Sequence, residues 1–290
     1  MRKFYFSNAS GERWPLQGEK GVYLSEPSGL GVQLSPSYAD LQHGFFIPID
    51  AGVEPQGAPR ATLVFTRPAY PTYRQLVNWL AAAGTLELIY CPYGAEEFHR
   101  RVDVQALTKS ELNKNGFLSC ELSLLTLSPW FKAAATRFDL ESQETDESMR
   151  YDIDYIDNLI YGDDFTSALS GTISPEGHIP AALSVTFYGG AVSPVISLAG
   201  DLTGKLYGAC RIDDTIAAGE TLLFSSADDD SFVRKLTAQG VVVDLLDKID
   251  LNGEPFPRLP LTEPCTLSIA ADAAISGAAD VLVYYYYRSV

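Results

Sequence analysis

Arg2-Lys3-Phe4-Tyr5-Phe6-Ser7-Asn8-Ala9-Ser10-Gly11-Glu12-Arg13-Trp14-Pro15-Leu16 is the stretch on which the reading of the fold turns. An alternating apolar strand is followed by Asn8 to Gly11, residues that favour a tight turn, and the chain returns through Trp14 and Leu16. It then passes Gly21-Val22-Tyr23-Leu24 and reaches Ser28-Gly29-Leu30-Gly31-Val32. Working outward, period-two or wholly apolar runs bounded by Gly, Pro, Asn or Asp recur at 4–7, 61–66, 85–91, 98–107, 116–127, 183–188, 221–225 and 281–288, and each reads as a strand. One segment reads as helix. Leu76, Trp79, Leu80 and Ala83 fall at helical spacing over 73–83, with Thr72 as N-cap and Gly84 just past the end. A weaker helical pattern covers 148–161. The expectation is a mainly β protein, because alternating β-α units would need a helix after each strand.

Length and charge divide the chain. Its 290 residues suit two domains, and 46% hydrophobic with 20% charged residues is ordinary globular composition. Residues 1–135 hold 12 Lys+Arg and 12 Asp+Glu, net zero, whereas residues 136–290 hold 9 and 25, which is the whole of the net charge of −16. The break coincides with Ser128-Pro129, which stops the apolar strand before it. The expected domains are therefore 1–134 and 135–290. The last strand, 280–290, either closes the second domain or returns to the first. A neutral half suits packing against copies of itself and other proteins, and an acidic half repels its own kind and stays solvated. Specific nucleic-acid binding is disfavoured, since phosphate contacts need clustered Lys and Arg.

The search for catalytic chemistry yields no candidate residue, cofactor or metal. The sequence carries no G-x-S-x-G elbow, H-E-x-x-H or P-loop, and Gly29-Leu30-Gly31 lacks the third glycine of a dinucleotide fingerprint. His43, His99 and His178 are the available neutral bases, far apart in sequence. Asp152, Asp154 and Asp157 imitate a calcium loop but lack its glycine and its closing glutamate. Asp228-Asp229-Asp230 reads as an acidic turn between strands. Cys91, Cys120, Cys210 and Cys265 make no C-x-x-C pair and read as buried thiols in a reducing compartment. No apolar run reaches the ~18 residues a membrane-spanning helix needs, so membrane insertion is not expected. The N-terminus has no secretory signal pattern, so synthesis and assembly in a cytoplasm are expected.

The opening hairpin and its Gly-Leu-Gly element, the strand 61–65, the short helix, the hairpin 86–104 around Cys91-Pro92-Tyr93-Gly94 and the strand ending Leu127-Ser128-Pro129-Trp130-Phe131 occur in an order that resembles the distal tail proteins of long, non-contractile bacteriophage tails. Later pieces of the resemblance are 180–187, 193–198, 216–222 and Tyr284-Tyr285-Tyr286-Tyr287-Arg288-Ser289-Val290. The resemblance implies two β-sandwich or barrel-like domains, the first with one short helix and the second similar to a galectin-type β-sandwich. It implies a non-enzymatic hub at the virion tail tip of a phage or prophage: a homohexameric ring continuing the tail tube protein, joined to a tail-associated tip protein. DNA would cross its lumen without specific binding, and its outer domain would carry receptor-binding or baseplate proteins.

Ring contact is expected from Phe45, Phe46 and Ile47, which lead into the Gly/Pro-rich stretch 51–59, with Trp130 and Phe131 as further interface candidates at the domain boundary. Two alternatives stay open at this point: that Phe45 and Phe46 line the first core, and that Trp130 and Phe131 serve packing alone. Carbohydrate recognition is the rival function, with a tail-associated hydrolase behind it. Against sugar binding, Trp14, Trp79 and Trp130 all precede the acidic half.

Overall fold

The computed structural model describes residues 2–32, 38–41, 45–48, 56–93, 96–139, 168–251, 253–272 and 275–290. The chain forms two compact units, residues 1–132 with 286–290 and residues 133–285. Among the described residues both are built of antiparallel strands, and no helix is long and apolar enough to cross a membrane.

The first unit contains β1 (Lys3–Asn8), β2 (Arg13–Pro15), β3 (Val22–Ser28), β4 (Tyr38–Leu41), β5 (Phe45–Pro48), β6 (Arg60–Phe65), α1 (Ala69–Ala81), β7 (Leu86–Cys91), β8 (Phe98–Lys109) and β9 (Leu118–Thr126), and β10 (Trp130–Asp139) begins in it. The turn at Asn8 forms because its side-chain oxygen accepts hydrogen bonds from the Ser10 and Glu12 amides, an Asx arrangement. Neighbouring strands run β2-β1-β7-β8-β9-β6-β3. The path then curls back on itself: Leu24 N–H donates to the Leu16 carbonyl just after β2, and Gln17 bridges Tyr23. Inside lie Phe4, Phe6, Leu16, Leu63, Phe65, Ile89 and Leu118, all essentially excluded from water.

Helix α1 buries Leu76 and tilts Trp79 against Trp14, ring centroids 5.8 Å apart. It starts four residues earlier than the sequence spacing predicts. Pro71 lies in its first turn, where a missing amide donor costs nothing, and Thr72 is inside the helix, its hydroxyl donating back to the Pro68 carbonyl at 2.9 Å.

The second unit takes in the rest of β10 and holds β11 (Leu169–Ile173), β12 (Ile179–Tyr188), β13 (Ala191–Val192), β14 (Val195–Gly200), β15 (Leu206–Arg211), β16 (Thr215–Ile216), β17 (Thr221–Ala227), β18 (Asp230–Leu236), β19 (Val242–Asp244), β20 (Cys265–Ala270) and most of β21 (Ala278–Tyr287). One sheet runs β19-β18-β17-β12-β21 and the other β11-β20-β14-β15. Their inward residues alternate along each strand as a sandwich requires. Leu183, Val185, Phe187, Leu222, Phe224, Val233, Val281 and Val283 on the first sheet, and Leu169, Ile196, Leu198, Leu267 and Ile269 on the second, are buried.

Chain direction at the start of β21 depends on two glycines. Gly189 (φ +152°) and Gly277 (φ +118°) pass so close that a Cβ at Gly277 would lie 1.8 Å from the Tyr188 carbonyl oxygen. All four cysteines are free and buried. Asp228 and Asp229 occupy the β17–β18 turn, and Asp228 pairs with Arg258. The Asp152 to Asp157 cluster, the helical pattern at 148–161 and His43 lie outside the described residues.

Candidate assembly surface

The hairpin β4–β5 forms a two-stranded sheet of its own, in the register Ala39↔Ile47, Asp40↔Phe46 and Leu41↔Phe45. Alternation along β5 sends Phe45 and Ile47 to one face and Phe46 to the other. Both faces nevertheless meet water: Phe45 is 67% exposed, Phe46 64%, Ile47 52% and Tyr38, across the hairpin, 57%. Single exposed apolar residues are normal on a protein surface, but this small hairpin carries four, two to each face. A two-stranded hairpin is also marginal by itself in water, so one that points large apolar side chains outward from both faces gains by being covered. Phe45 and Phe46 are surface residues and do not line the core.

Trp130 and Phe131 occupy the opposite situation. Trp130 is fully buried within the first unit, its indole N–H donating to the Leu30 carbonyl at 3.3 Å and its ring tilted on Tyr90. The Arg100 guanidinium lies over that ring at 5.5 Å while its Nε donates to the Ser128 carbonyl at 2.9 Å. This is the work of the Gly29-Leu30-Gly31 element: Gly29 takes φ +73°, and its neighbour presents a carbonyl to the buried indole. Phe131 is buried too, stacked on His99 at 5.5 Å. Neither ring offers surface to a partner, so the expectation of interface residues at 130 and 131 is corrected to packing.

His99 sits between carboxylates, its Nδ1 3.1 Å from Glu87 Oε2 and its Nε2 3.9 Å from Glu97 Oε2. Glu97 in turn takes a two-pronged contact from the Arg13 guanidinium at 2.9 and 2.8 Å, which holds its carboxyl below the usual range. These groups fasten the β7–β8 hairpin to β2. Elsewhere in the unit, a cleft of about 400 Å³ on the outward side of β3, β6, β8 and β9 is lined by Glu26, Arg60, Thr62, Thr108, Glu121 and Ser123 among others. Its charges are of both signs, so it makes no basic track for phosphates.

In the second unit the carboxylate of Glu263, 3% exposed, is fully engaged. It accepts hydrogen bonds from the Thr203 hydroxyl and the Tyr207 hydroxyl, both at 2.6 Å, and from the Thr203 and Leu202 amides at 3.0 Å. These donors, the Thr203 hydroxyl foremost, hold its pKa down to about 2. Three of the four bonds go to Leu202 and Thr203 in the β14–β15 turn and the fourth to Tyr207 at the start of β15, so the group is a structural clamp on that turn.

Residues 3–127 match the family model described as the distal tail protein N-terminal domain, and the resemblance read from the opening residues is borne out there. No curated protein sequence matches the chain. Among solved structures, the chain is similar to a protein of the phage P2 baseplate in its activated conformation with Ca, with a TM-score of 0.68 at 14% identity over 100% of both chains. It is also similar to the SPP1 Dit protein, described as a paradigm of the hub adsorption apparatus in phages infecting Gram-positive hosts. There the TM-score is 0.57 at 9% identity, over 97% of this chain and 98% of that one. At such identities the likeness is one of fold.

Proposed function

We propose that this chain, whose residues 3–127 carry a distal tail protein N-terminal domain, is a structural hub of a phage tail tip and has no catalytic role. The observation that carries the reading is that this domain sits in a chain whose whole length has the fold of a phage baseplate protein and of a phage Dit protein. First units assemble head to tail into a ring of six that continues the tail tube, meets the tip protein and leaves a lumen for DNA. Such a ring needs two different patches on each subunit to meet, and the β4–β5 hairpin with Phe45, Phe46 and Ile47 is one of them. The acidic second unit stays solvated and serves as platform for receptor-binding or baseplate proteins, and assembly takes place in the host cytoplasm before the protein takes its place in the virion.

Negative-stain imaging of the purified chain at high concentration tests the reading. Rings with a central channel support it, and isolated particles at every concentration refute it. The rival reading, carbohydrate recognition, predicts reproducible binding of host cell-wall polysaccharide that disappears when residues 136–290 are deleted; the hub reading predicts none.

A further inference from the structure

The larger sheet of the second unit ends on β19, and the hydrogen-bond pattern shows which way that strand faces. Thr237 N–H donates to the Val241 carbonyl and Leu245 N–H to the Val233 carbonyl, in register with the Lys235↔Val243 pair. In an antiparallel ladder such pairs alternate with non-bonded ones. Val241, Val243 and Leu245 therefore turn their main-chain polar groups toward β18, while Val242 and Asp244 turn theirs away. No described strand lies beyond them.

The side chains along this edge are apolar and wet: Val241 is 58% exposed, Val242 57%, Val243 37% and Leu246, in the turn that follows, 42%. Proteins usually blunt a sheet edge with Lys, Pro or a covering segment, because open amides and carbonyls beside strong β-formers are a template for another strand. The second sheet follows that rule: Ala209 N–H on β15 donates to the Glu254 carbonyl at 3.0 Å and Asp250 N–H to the Arg211 carbonyl at 3.2 Å, so a loop covers that edge. Along β19 and the residue before it, Val241-Val242-Val243 lie open instead.

Charge around the edge selects the occupant. Asp244 is in the strand, opposite Arg234 of β18. Asp247, shortly after the strand, lines with Asp213 and Asp250 a polar depression of about 540 Å³ that also holds Arg211 and Lys248, so the carboxylates outnumber the cations by four to three. Arg211 is already paired with Asp272 at 2.5 Å, and Lys235 on β18 with Asp214 at 2.7 Å. A second copy laid on this edge would set the same carboxylates against each other. A strand with cationic flanks would not.

We propose that the β19 edge is a strand-addition site for another protein, taking a short extended segment that is apolar at alternate positions and flanked by Lys or Arg. Main-chain bonds to Val242 and Asp244 would hold the segment, the valines would take its apolar side chains, and the aspartates would choose its flanks. The site uses only second-unit geometry, so it stands or falls separately from the ring.

The test uses the full chain and three synthetic probes. The first is Lys-Val-Thr-Val-Thr-Val-Lys with blocked ends, the second replaces both lysines by glutamate, and the third is the first N-methylated at alternate residues. Hydrogen exchange read at single amides is expected to show Val242 and Asp244 unprotected in the free protein and saturably protected by the basic probe. The acidic probe should bind at least about tenfold more weakly, and the N-methylated one should give no protection. Val242→Lys, a change at an exposed side chain, should weaken the basic probe by a similar factor and leave the melting temperature in place. The proposal is overturned by no protection at millimolar basic probe, by equal binding of the acidic probe, or by unchanged binding to Val242→Lys. It is overturned too by a concentration-dependent rise in mass that Val242→Lys abolishes, which would make a second copy the occupant.

Discussion

Replacing Phe45 and Phe46 together by serine separates assembly from folding. The two rings are 67% and 64% exposed in the chain by itself, and fully burying a Phe side chain is worth about 1.5–3 kcal/mol. Covering the exposed two-thirds of each therefore contributes roughly 1–2 kcal/mol, or about 2–4 kcal/mol per subunit contact for the pair. At ~1.4 kcal/mol per factor of ten, the substitution should raise the dissociation constant of each contact roughly 30- to 1,000-fold. Little of either ring is packed in the free subunit, so its melting temperature should move by no more than about 4 °C. Sedimentation velocity over a concentration series reads the first effect and calorimetry on dilute protein the second. Unchanged assembly would remove the hairpin from the interface. A collapse of the melting temperature would mean that the rings hold the subunit together, and the exposure argument would be wrong.

Three further outcomes follow from the geometry. Because the four donors around Glu263 hold its folded pKa at about 2, below the ordinary value of 4.5, its contribution is fully present above about pH 4.5 and is lost as pH falls toward 2; Glu263→Gln should lower the thermal midpoint at pH 7, and the two proteins should converge near pH 2. Gly277→Ala sets a Cβ 1.8 Å from the Tyr188 carbonyl oxygen at φ +118°, which should cost roughly 3 kcal/mol or more by chemical denaturation, and a smaller loss would mean that the β12–β21 crossing is looser than described. Burial pushes the Cys210 thiol up to about 12 and those of Cys120 and Cys265 to about 11, so a thiol reagent at pH 8 should leave these three unmodified in the native protein and reach them in denaturant; fast native labelling of any of them would contradict its burial.

The strand-rich fold and its opening hairpin were legible because local chemistry specifies them. Asn8 and Gly11 shape the turn, and alternation in 4–7 and 118–126 marks one buried face. The start of α1 was harder to see, since Thr72 has the chemistry of an N-cap and only the fold places it inside the helix. At Phe45-Phe46-Ile47 core and surface looked alike, because an apolar run carries no record of what covers it; the answer came from the pairing with 38–41 and from exposure on both faces. Val241-Val242-Val243 is silent in the same way, since consecutive valines carry no record of whether their strand lies inside a sheet or at its edge. Trp130 and Phe131 stood at the charge break and so suggested a contact, yet their partners Leu30, Tyr90 and His99 are contributed by distant parts of the chain. The charge break itself falls near the division between the units, at residue 132. Only the fold shows that residues 286–290 cluster with the first unit, since that grouping rests on contacts far apart in sequence.

Native mass spectrometry of the purified full chain, sprayed across a concentration series, tests the hub most directly. The account predicts a discrete species at about six times the 31.6 kDa of one chain, growing with concentration and without a continuing ladder of larger masses, because a closed ring leaves no free contact at its ends. A spectrum that holds only the 31.6 kDa chain at every concentration, or an open-ended ladder, would contradict it.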